Sequence, residues 1–231
     1  MENTLACEQL EALRQLDTCT VSNAIETFNV RLRNEGFADS SIRCMIPPRG
    51  ACMIGYATTA RIRSSGPPPA GHTYFDNTGW WSHLLSMPAP RILVLEDIGE
   101  VPGLGSFVGE VHGNILRALG CEGVITNGSV RDLDAMEDLD LPVFASSIAV
   151  SHAYVHLVEY GCPVQVGGLK VSPGDLLHGD RHGVLSIPRE VAAGIPEVAK
   201  NIMSRERNVI DLCRAADFSV ARLREAVKHL G

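Results

Sequence analysis

Three charged residues near the middle of the chain have types and spacing that suit chemistry on a small anionic substrate. Arg131 and Asp132 are adjacent and follow an apolar stretch and a glycine turn, and twenty residues separate Arg131 from Glu110. A carboxylate can hold a hard cation, and a neighbouring guanidinium can grip an anion bound to that cation. The helix and strand expected between Glu110 and Arg131 could bring the three charges together.

The Arg131–Asp132 pair also has a purely structural interpretation. Asp132 stands where a helix N-cap would stand, and Arg131 could form an ordinary ion pair beside it. Gly128 favours the functional interpretation, because a turn there projects Arg131 from the end of a strand, where sites of α/β sheets commonly lie. The segment 109–114 has two interpretations as well: a helix N-terminus whose N–H groups bind a carboxylate or phosphate, or a plain loop-to-helix turn.

The elements around these residues predict a layered α/β fold. A glycine-rich loop is expected at 99–109, a helix at 111–119 and a short helix at 132–136. Residues 163–188 predict short antiparallel strands, and helices are expected from 188 to 231. The order of βα units, antiparallel strands and helices is typical of one layered domain, here 1–231. Strands are expected in four apolar stretches: 51–62, 91–96, 123–126 and 141–145.

Helices are also expected at the start of the chain and after the proline-rich loop. Residues 1–30 predict two helices, over 3–16 and 21–28, with Thr20 or Ser22 as the cap of the second. A further helix over 76–86 carries two adjacent tryptophans, which should pack in a core or a subunit interface.

Composition restricts the partners. The 231 residues carry a net charge of −7, and no run of Lys and Arg is longer than two, so a nucleic-acid surface is not expected. No apolar run approaches the roughly 18 residues that a membrane span needs. The seven cysteines are widely spaced and form no C-x-x-C, which indicates buried, reduced thiols. We expect a cytoplasmic protein that binds neither nucleic acid nor membranes.

Two histidine pairs have i, i+4 spacing, but neither is expected to hold a metal. A two-histidine site needs a helical face and a third ligand. The pair His178 and His182 straddles a turn, and no carboxylate motif accompanies His152 and His156. The glycines at 103–105 lack the G-x-G-x-x-G pattern, so a dinucleotide or S-adenosylmethionine loop is not expected either.

With these motifs the chain resembles the RraA-like family, which includes the regulator of RNase E activity A and the class II 4-hydroxy-4-methyl-2-oxoglutarate/4-carboxy-4-hydroxy-2-oxoadipate aldolases. The resemblance runs from about Val21 to Pro188. It implies an αββα sandwich of the swivelling β/β/α type, assembled as trimers or hexamers with sites between subunits. Its most specific pieces are GE followed twenty residues later by RD, then GCEGVITNGSVRDLDAM, LPVFA and PGDLLHGDRHGVLSIP.

The resemblance also implies a part for each site residue. Asp132 would hold Mg²⁺ or Mn²⁺, largely through water, and Arg131 would contact bound pyruvate and stabilise its enolate. The backbone of Gly109, Glu110, Val111 and His112 would hold the pyruvate carboxylate.

Two glutamates complete the implied site. Glu110 would position or activate a water that moves protons. A glutamate from the C-terminal helix of the adjacent subunit would also take part, and Glu206 is the candidate.

The chain departs from the family pattern near the site. Glu110 and Asn127 each stand where Asp is usual, and the GDRHG turn lacks one acid of the usual GD-x-DG. His112 replaces an apolar residue in the carboxylate-binding loop. It could contact substrate or titrate near neutrality, or it could face outward from the helix.

We therefore expect a divalent-metal-dependent lyase that cleaves a C–C bond of a small 2-oxo acid. Retro-aldol cleavage to pyruvate and decarboxylation of oxaloacetate both pass through a metal-bound pyruvate enolate, so one site can serve both. Two alternatives stay open: a non-catalytic regulator that binds a ribonuclease or helicase complex, and an enzyme that acts on a sugar acid with the same metal site.

Overall fold

The computed structural model describes residues 4–68 and 78–228 and shows a mixed α/β fold. Its helices are α1 (Cys7–Arg14), α2 (Thr18–Thr27), α3 (Gly79–Ser86), α4 (Glu110–Ala118), α5 (Leu133–Asp138), α6 (Arg189–Ala192), α7 (Ile195–Arg214) and α8 (Val220–Val227). Its strands are β1 (Arg43–Ile46), β2 (Met53–Arg63), β3 (Arg91–Asp97), β4 (Ser106–Val108), β5 (Cys121–Thr126), β6 (Ser129–Val130), β7 (Val143–Ala145), β8 (Ser147–Ile148), β9 (His156–Tyr160), β10 (Val164–Val166), β11 (Leu169–Val171), β12 (Leu176–Asp180) and β13 (Gly183–Ile187).

The main sheet has strand order β1-β7-β5-β3-β2-β12-β13, with β9 also paired to β2. Strands β2, β3, β5 and β7 run parallel, and β12 and β13 are antiparallel, as predicted for the later part of the chain. Parallel strands buried on both faces are apolar nearly throughout, which is why these stretches could be recognised from sequence.

Strand β3 shows how the layers form. Side chains alternate across a strand, so Leu93 and Leu95 pack with residues of α3, α4 and α5 on one face. Ile92 and Val94 pack on the other face with the β10–β11 hairpin. The prediction of a layered α/β fold with C-terminal helices is confirmed.

The two ends of the chain are helical, with one correction at the start. Helix α2 begins earlier than expected, and its cap is Asp17, whose carboxylate accepts from the Thr20 amide at 2.8 Å. Thr20 and Ser22 lie inside the helix, so their prediction as caps was wrong. At the C-terminal end, a break after Arg214 separates α7 from α8.

The other differences between the predicted and observed elements concern short strands and the ends of elements. The predicted loop at 99–109 contains β4, and strands β1, β6, β8 and β9 were missed. The helix predicted over 76–86 is present from Gly79, and residues 76 and 77 lie outside the described residues. Trp80 packs in the core, as expected.

The structure also tests the expectation of buried, reduced thiols and the expectation that no segment spans a membrane. All seven thiols are free, but Cys7, Cys19 and Cys213 are exposed, so the expectation that the cysteines are buried was wrong for these three. Within 4–68 and 78–228, no helix has both the length and the apolar character that crossing a membrane requires.

Candidate active site

A second, small parallel sheet positions the Arg131–Asp132 pair. Its strands β4, β6 and β8 follow β3, β5 and β7 along the chain and keep their order. Val108 ends β4 and Val130 ends β6, and the Arg131 amide donates to the Val108 carbonyl at 3.0 Å. Because parallel strands end at the same edge, Gly109 and Arg131 emerge side by side, although the sequence separates them widely.

The backbone at Gly109 approaches the pair too closely for any side chain. A Cβ there would lie 2.6 Å from Asp132 Oδ2 and 2.9 Å from Arg131 Cγ. Asp132 itself has φ of +56°, in the left-handed region that non-glycine residues rarely adopt. Such backbone outliers persist where the surrounding structure holds them and are concentrated at functional sites.

The Asp132 carboxylate joins the two motifs. Its Oδ2 accepts from the Glu110 amide at 3.1 Å and from Arg131 Nε at 3.2 Å. Asp132 is the N-cap residue of α5 and pairs with Arg131, as the structural interpretation predicted, but its side chain makes no capping bond to that helix. The carboxylate lies instead at the N-terminus of α4, where the helix dipole stabilises negative charge.

A cavity of about 480 Å³ opens beside this pair. Four predicted binding residues and the predicted metal ligand Asp132 contribute to its wall. Glu110 reaches the pair through its backbone amide, while its side chain is exposed and is absent from the described lining. Glu206 is exposed on α7 and does not line the cavity of its own chain. The described lining residues are Pro68, Gly109, Val111, His112, Arg131, Asp132, His152, Ala153, Tyr154 and Val155.

His112 lies on the inner wall of the cavity. It is only 3% exposed and stacks on Phe107 with ring centroids 4.4 Å apart, so the alternative of an outward-facing residue was wrong. Burial, aided by the nearby His152, lowers the pKa of His112 to about 4, against a hydrogen bond to the Phe107 backbone that raises it. His112 is therefore neutral at pH 7 and does not titrate near neutrality.

His152 was considered only as a metal ligand, and its place in the cavity wall was missed. Its Nδ1 lies 3.1 Å from the Ser106 carbonyl oxygen, on the strand that leads to Gly109. A Cβ at Gly105 would overlap the His152 carbonyl, so the glycine allows residues 152–155 to close over β4. No sequence signal indicates this contact, because it depends on the unrecognised strand β4.

Asn127 fixes the ends of two strands beneath the site. Its Oδ1 accepts from the Asp97 amide at 2.6 Å, and its Nδ2 donates to the Asp97 carbonyl at 3.1 Å. A carboxylate cannot donate the second bond, which accounts for Asn at this position. The buried Asp97 carboxylate accepts from Ser64 Oγ and the Gly103 amide, at 2.6 and 2.8 Å, and so ties down the loop before β4.

The donor set suits a hard cation better than zinc. In the part of the chain that the structure describes, no three His, Cys, Asp or Glu residues come together as ligands. Asp132 Oδ1 accepts no hydrogen bond from the described residues and belongs to a cavity-lining side chain. A single carboxylate with retained waters fits Mg²⁺, whereas structural zinc needs four protein ligands.

Known proteins similar to this chain include two curated relatives. An uncharacterised protein of Methanocaldococcus jannaschii is 34% identical over 117 residues, which are 48% of this chain and 56% of the relative. The chain thus matches little more than half of that relative's length. A Halalkalibacterium halodurans protein named "Putative 4-hydroxy-4-methyl-2-oxoglutarate aldolase" is 30% identical over 165 residues, which are 69% of this chain and 72% of the relative.

Solved structures share the fold. An uncharacterised protein from Pseudomonas syringae pv. tomato matches with a TM-score of 0.74 and 20% identity, covering 97% of this chain and 96% of that one. Streptomyces coelicolor RraAS2, described as an unusual member of the RNase ES inhibitor RraA protein family, matches at 0.70 and 18%, covering 90% and 98%. The family model Aldolase/RraA matches residues 18–186, and the chain therefore belongs to the RraA-like family.

Proposed function

We propose that the protein is a divalent-metal-dependent lyase that cleaves a C–C bond of a small 2-oxo acid. It would release pyruvate by retro-aldol cleavage or by decarboxylation of oxaloacetate. The observation that carries the proposal is the meeting of Arg131, Asp132 and the N-terminus of α4 at the wall of one cavity. The similarity to a relative that is named as an aldolase supports the same reaction class.

Each site residue has a separate proposed role that follows from its chemistry. Asp132 would hold Mg²⁺ or Mn²⁺, and the bound ion would act as a Lewis acid toward the 2-oxo group. The amides of Val111 and His112, in the first turn of α4, would bind the substrate carboxylate, since a helix N-terminus attracts anions. Glu110 would position the water that moves the proton, and Glu206 of a second subunit, in a trimer or hexamer, would complete the site.

The cleavage needs a group that stabilises an enolate. In the retro-aldol direction the C4 hydroxyl loses its proton, the C3–C4 bond breaks, and its electron pair forms the enolate of pyruvate. Protonation of that enolate at C3 yields pyruvate. Oxaloacetate reaches the same enolate when CO₂ leaves. The Arg131 guanidinium would donate to the enolate oxygen as charge develops there, which is where a fixed donor accelerates a reaction most.

The test is pyruvate release from oxaloacetate and from 4-hydroxy-4-methyl-2-oxoglutarate, first with Mg²⁺ and then with EDTA. We expect metal-dependent turnover that is lost in Arg131→Ala and in Asp132→Ala. Arg33 and Glu26 form a comparable ion pair outside the cavity lining, at 3.5 Å, and Arg33→Ala is the matched control. Metal-independent turnover, or full activity in both site variants, would contradict the proposal. An inactive protein that binds no metal would favour the non-catalytic regulator.

A further inference from the structure

The cavity extends well beyond the Arg131–Asp132 pair. Its volume of about 480 Å³ falls in the range of pockets that enclose whole ligands of drug size, and pyruvate is far smaller. A pyruvyl unit bound at Arg131 and the start of α4 therefore leaves room for a sizeable group attached beyond C3.

The wall around that remaining space is mostly apolar. Pro68, Val111, Ala153, Tyr154 and Val155 contribute to it. Tyr154 is 58% exposed and Val111 is 63% exposed, although both are large hydrophobic residues. A substrate group that packs against these side chains would remove apolar surface from water, which favours an apolar group.

The wall also offers little for a second anionic group. Arg131 is the only Lys or Arg among the described lining residues, and it already faces the Asp132 carboxylate at 3.2 Å. His112 is held neutral by burial. A carboxylate removed from water without its own cation is strongly disfavoured.

We propose that the substrate is a 4-hydroxy-2-oxo acid whose C4 substituent is uncharged and apolar, so that cleavage yields pyruvate and an aldehyde or ketone without a carboxylate. This inference rests on the proposed lyase function and narrows its substrate class. The bond changes are those of the retro-aldol step, with the C4 carbon leaving as the carbonyl product.

A matched pair of substrates tests the inference. In 4-hydroxy-4-methyl-2-oxopentanoate, a methyl group replaces the second carboxylate of 4-hydroxy-4-methyl-2-oxoglutarate. With Mg²⁺ present, we expect kcat/KM for pyruvate release to be at least tenfold higher for the uncharged member. Equal values, or a preference for the dicarboxylate, would overturn the inference.

Oxaloacetate decarboxylation separates this inference from the function on which it rests. Metal-dependent decarboxylation together with a preference for the dicarboxylate would overturn only the substrate class. Absence of metal-dependent pyruvate release from all three compounds would overturn both.

Tyr154 allows a second measurement in the same assay. Tyr154→Arg places a cation in the apolar wall, and Tyr154→Gln is the neutral control at the same exposed position. We expect the arginine variant to shift the kcat/KM ratio at least tenfold toward the dicarboxylate relative to the glutamine variant. An equal ratio in the two variants would show that this wall does not contact the C4 substituent and would overturn the inference.

Discussion

Asp132 and Asp180 are two carboxylates that receive the amide of a helix N-terminus, yet their surroundings differ. Asp180 is buried, and both of its oxygens are engaged: Oδ2 accepts from the Thr18 amide at 3.0 Å, and Oδ1 from the amide and Nδ1 of His182 at 2.8 and 3.0 Å. Asp132 is 36% exposed, and the recorded bonds of the described residues reach only its Oδ2. Saturation of hydrogen bonds thus distinguishes a structural acid from one with capacity for a ligand.

His182 strengthens this contrast. Burial alone would raise the pKa of Asp180, but hydrogen bonds from Thr18 and His182 outweigh it and leave the pKa below its usual range. The family pattern has an acid where His182 stands, and a carboxylate there would repel Asp180. A cavity of about 420 Å³ adjoins Asp180 as well, so a cavity next to an acid does not by itself mark a site.

The largest expected effect is on activity in Asp132→Asn. The amide oxygen can still accept from Glu110, so the cap of α4 is kept while the charge is lost. We expect kcat/KM to fall at least about 100-fold, the scale for removing a group that stabilises developing charge, with little change in thermal midpoint. Wild-type activity in this variant would reduce Asp132 to the structural part that Asp180 performs.

Asp180→Ala should lower stability and leave activity unchanged, which is the reverse of the effect expected for Asp132→Asn. It leaves the Thr18 and His182 amides without their acceptor and should lower the free energy of unfolding by about 2 kcal/mol in urea titrations, with kcat per folded molecule unchanged. Because the pKa of Asp180 is lowered by folding, its stabilisation is present above the unfolded value of about 4 and is lost as pH falls below it. The difference between wild type and variant should therefore close in acid. A folded but inactive variant would contradict the comparison.

Gly109→Ala tests how closely the two motifs must approach. Its Cβ would collide with Asp132 Oδ2 and Arg131 Cγ, so we expect kcat/KM to fall roughly tenfold or more, since small displacements of reacting groups are costly. Gly66→Ala is the control, because a Cβ there meets no atom of the described residues within 4 Å. Equal activity of the two variants would show that the approach at Gly109 has no catalytic value.

The last prediction concerns the pH dependence of stability at His112. Folding lowers its pKa to about 4, from an unfolded value of about 6.5, so the unfolded chain binds more protons between these values and stability falls as pH decreases from 6.5 toward 4. The substitution His112→Leu removes this contribution of His112 to the pH dependence of stability. Between pH 7 and pH 5, we expect the wild type to lose about 2 kcal/mol more unfolding free energy than the variant. Parallel losses in urea titrations would show that His112 does not titrate as described.

Local sequence signals were sufficient to predict part of the fold and of the candidate site. The buried parallel strands and the strand–turn that presents Arg131 have clear apolar runs and a glycine, and they were predicted. Strand β4 has only three residues, too few for periodicity, so the contact of Gly105 with His152 and the wall beyond it were missed. The bond from Glu110 to Asp132 spans 22 residues, and no local pattern encodes such a pairing.

Three strands of the main sheet continue into the small sheet, and this has a consequence for how members of the family can differ. Strands β4, β6 and β8 continue β3, β5 and β7 after connections that run from one residue, Ser146, to the loop 98–105. The connections that lead into the small sheet can therefore lengthen or change, while the apolar contacts of the main sheet remain intact. Selection can alter what the cavity accepts without rebuilding the core, and a stable scaffold is free to serve more than one chemistry.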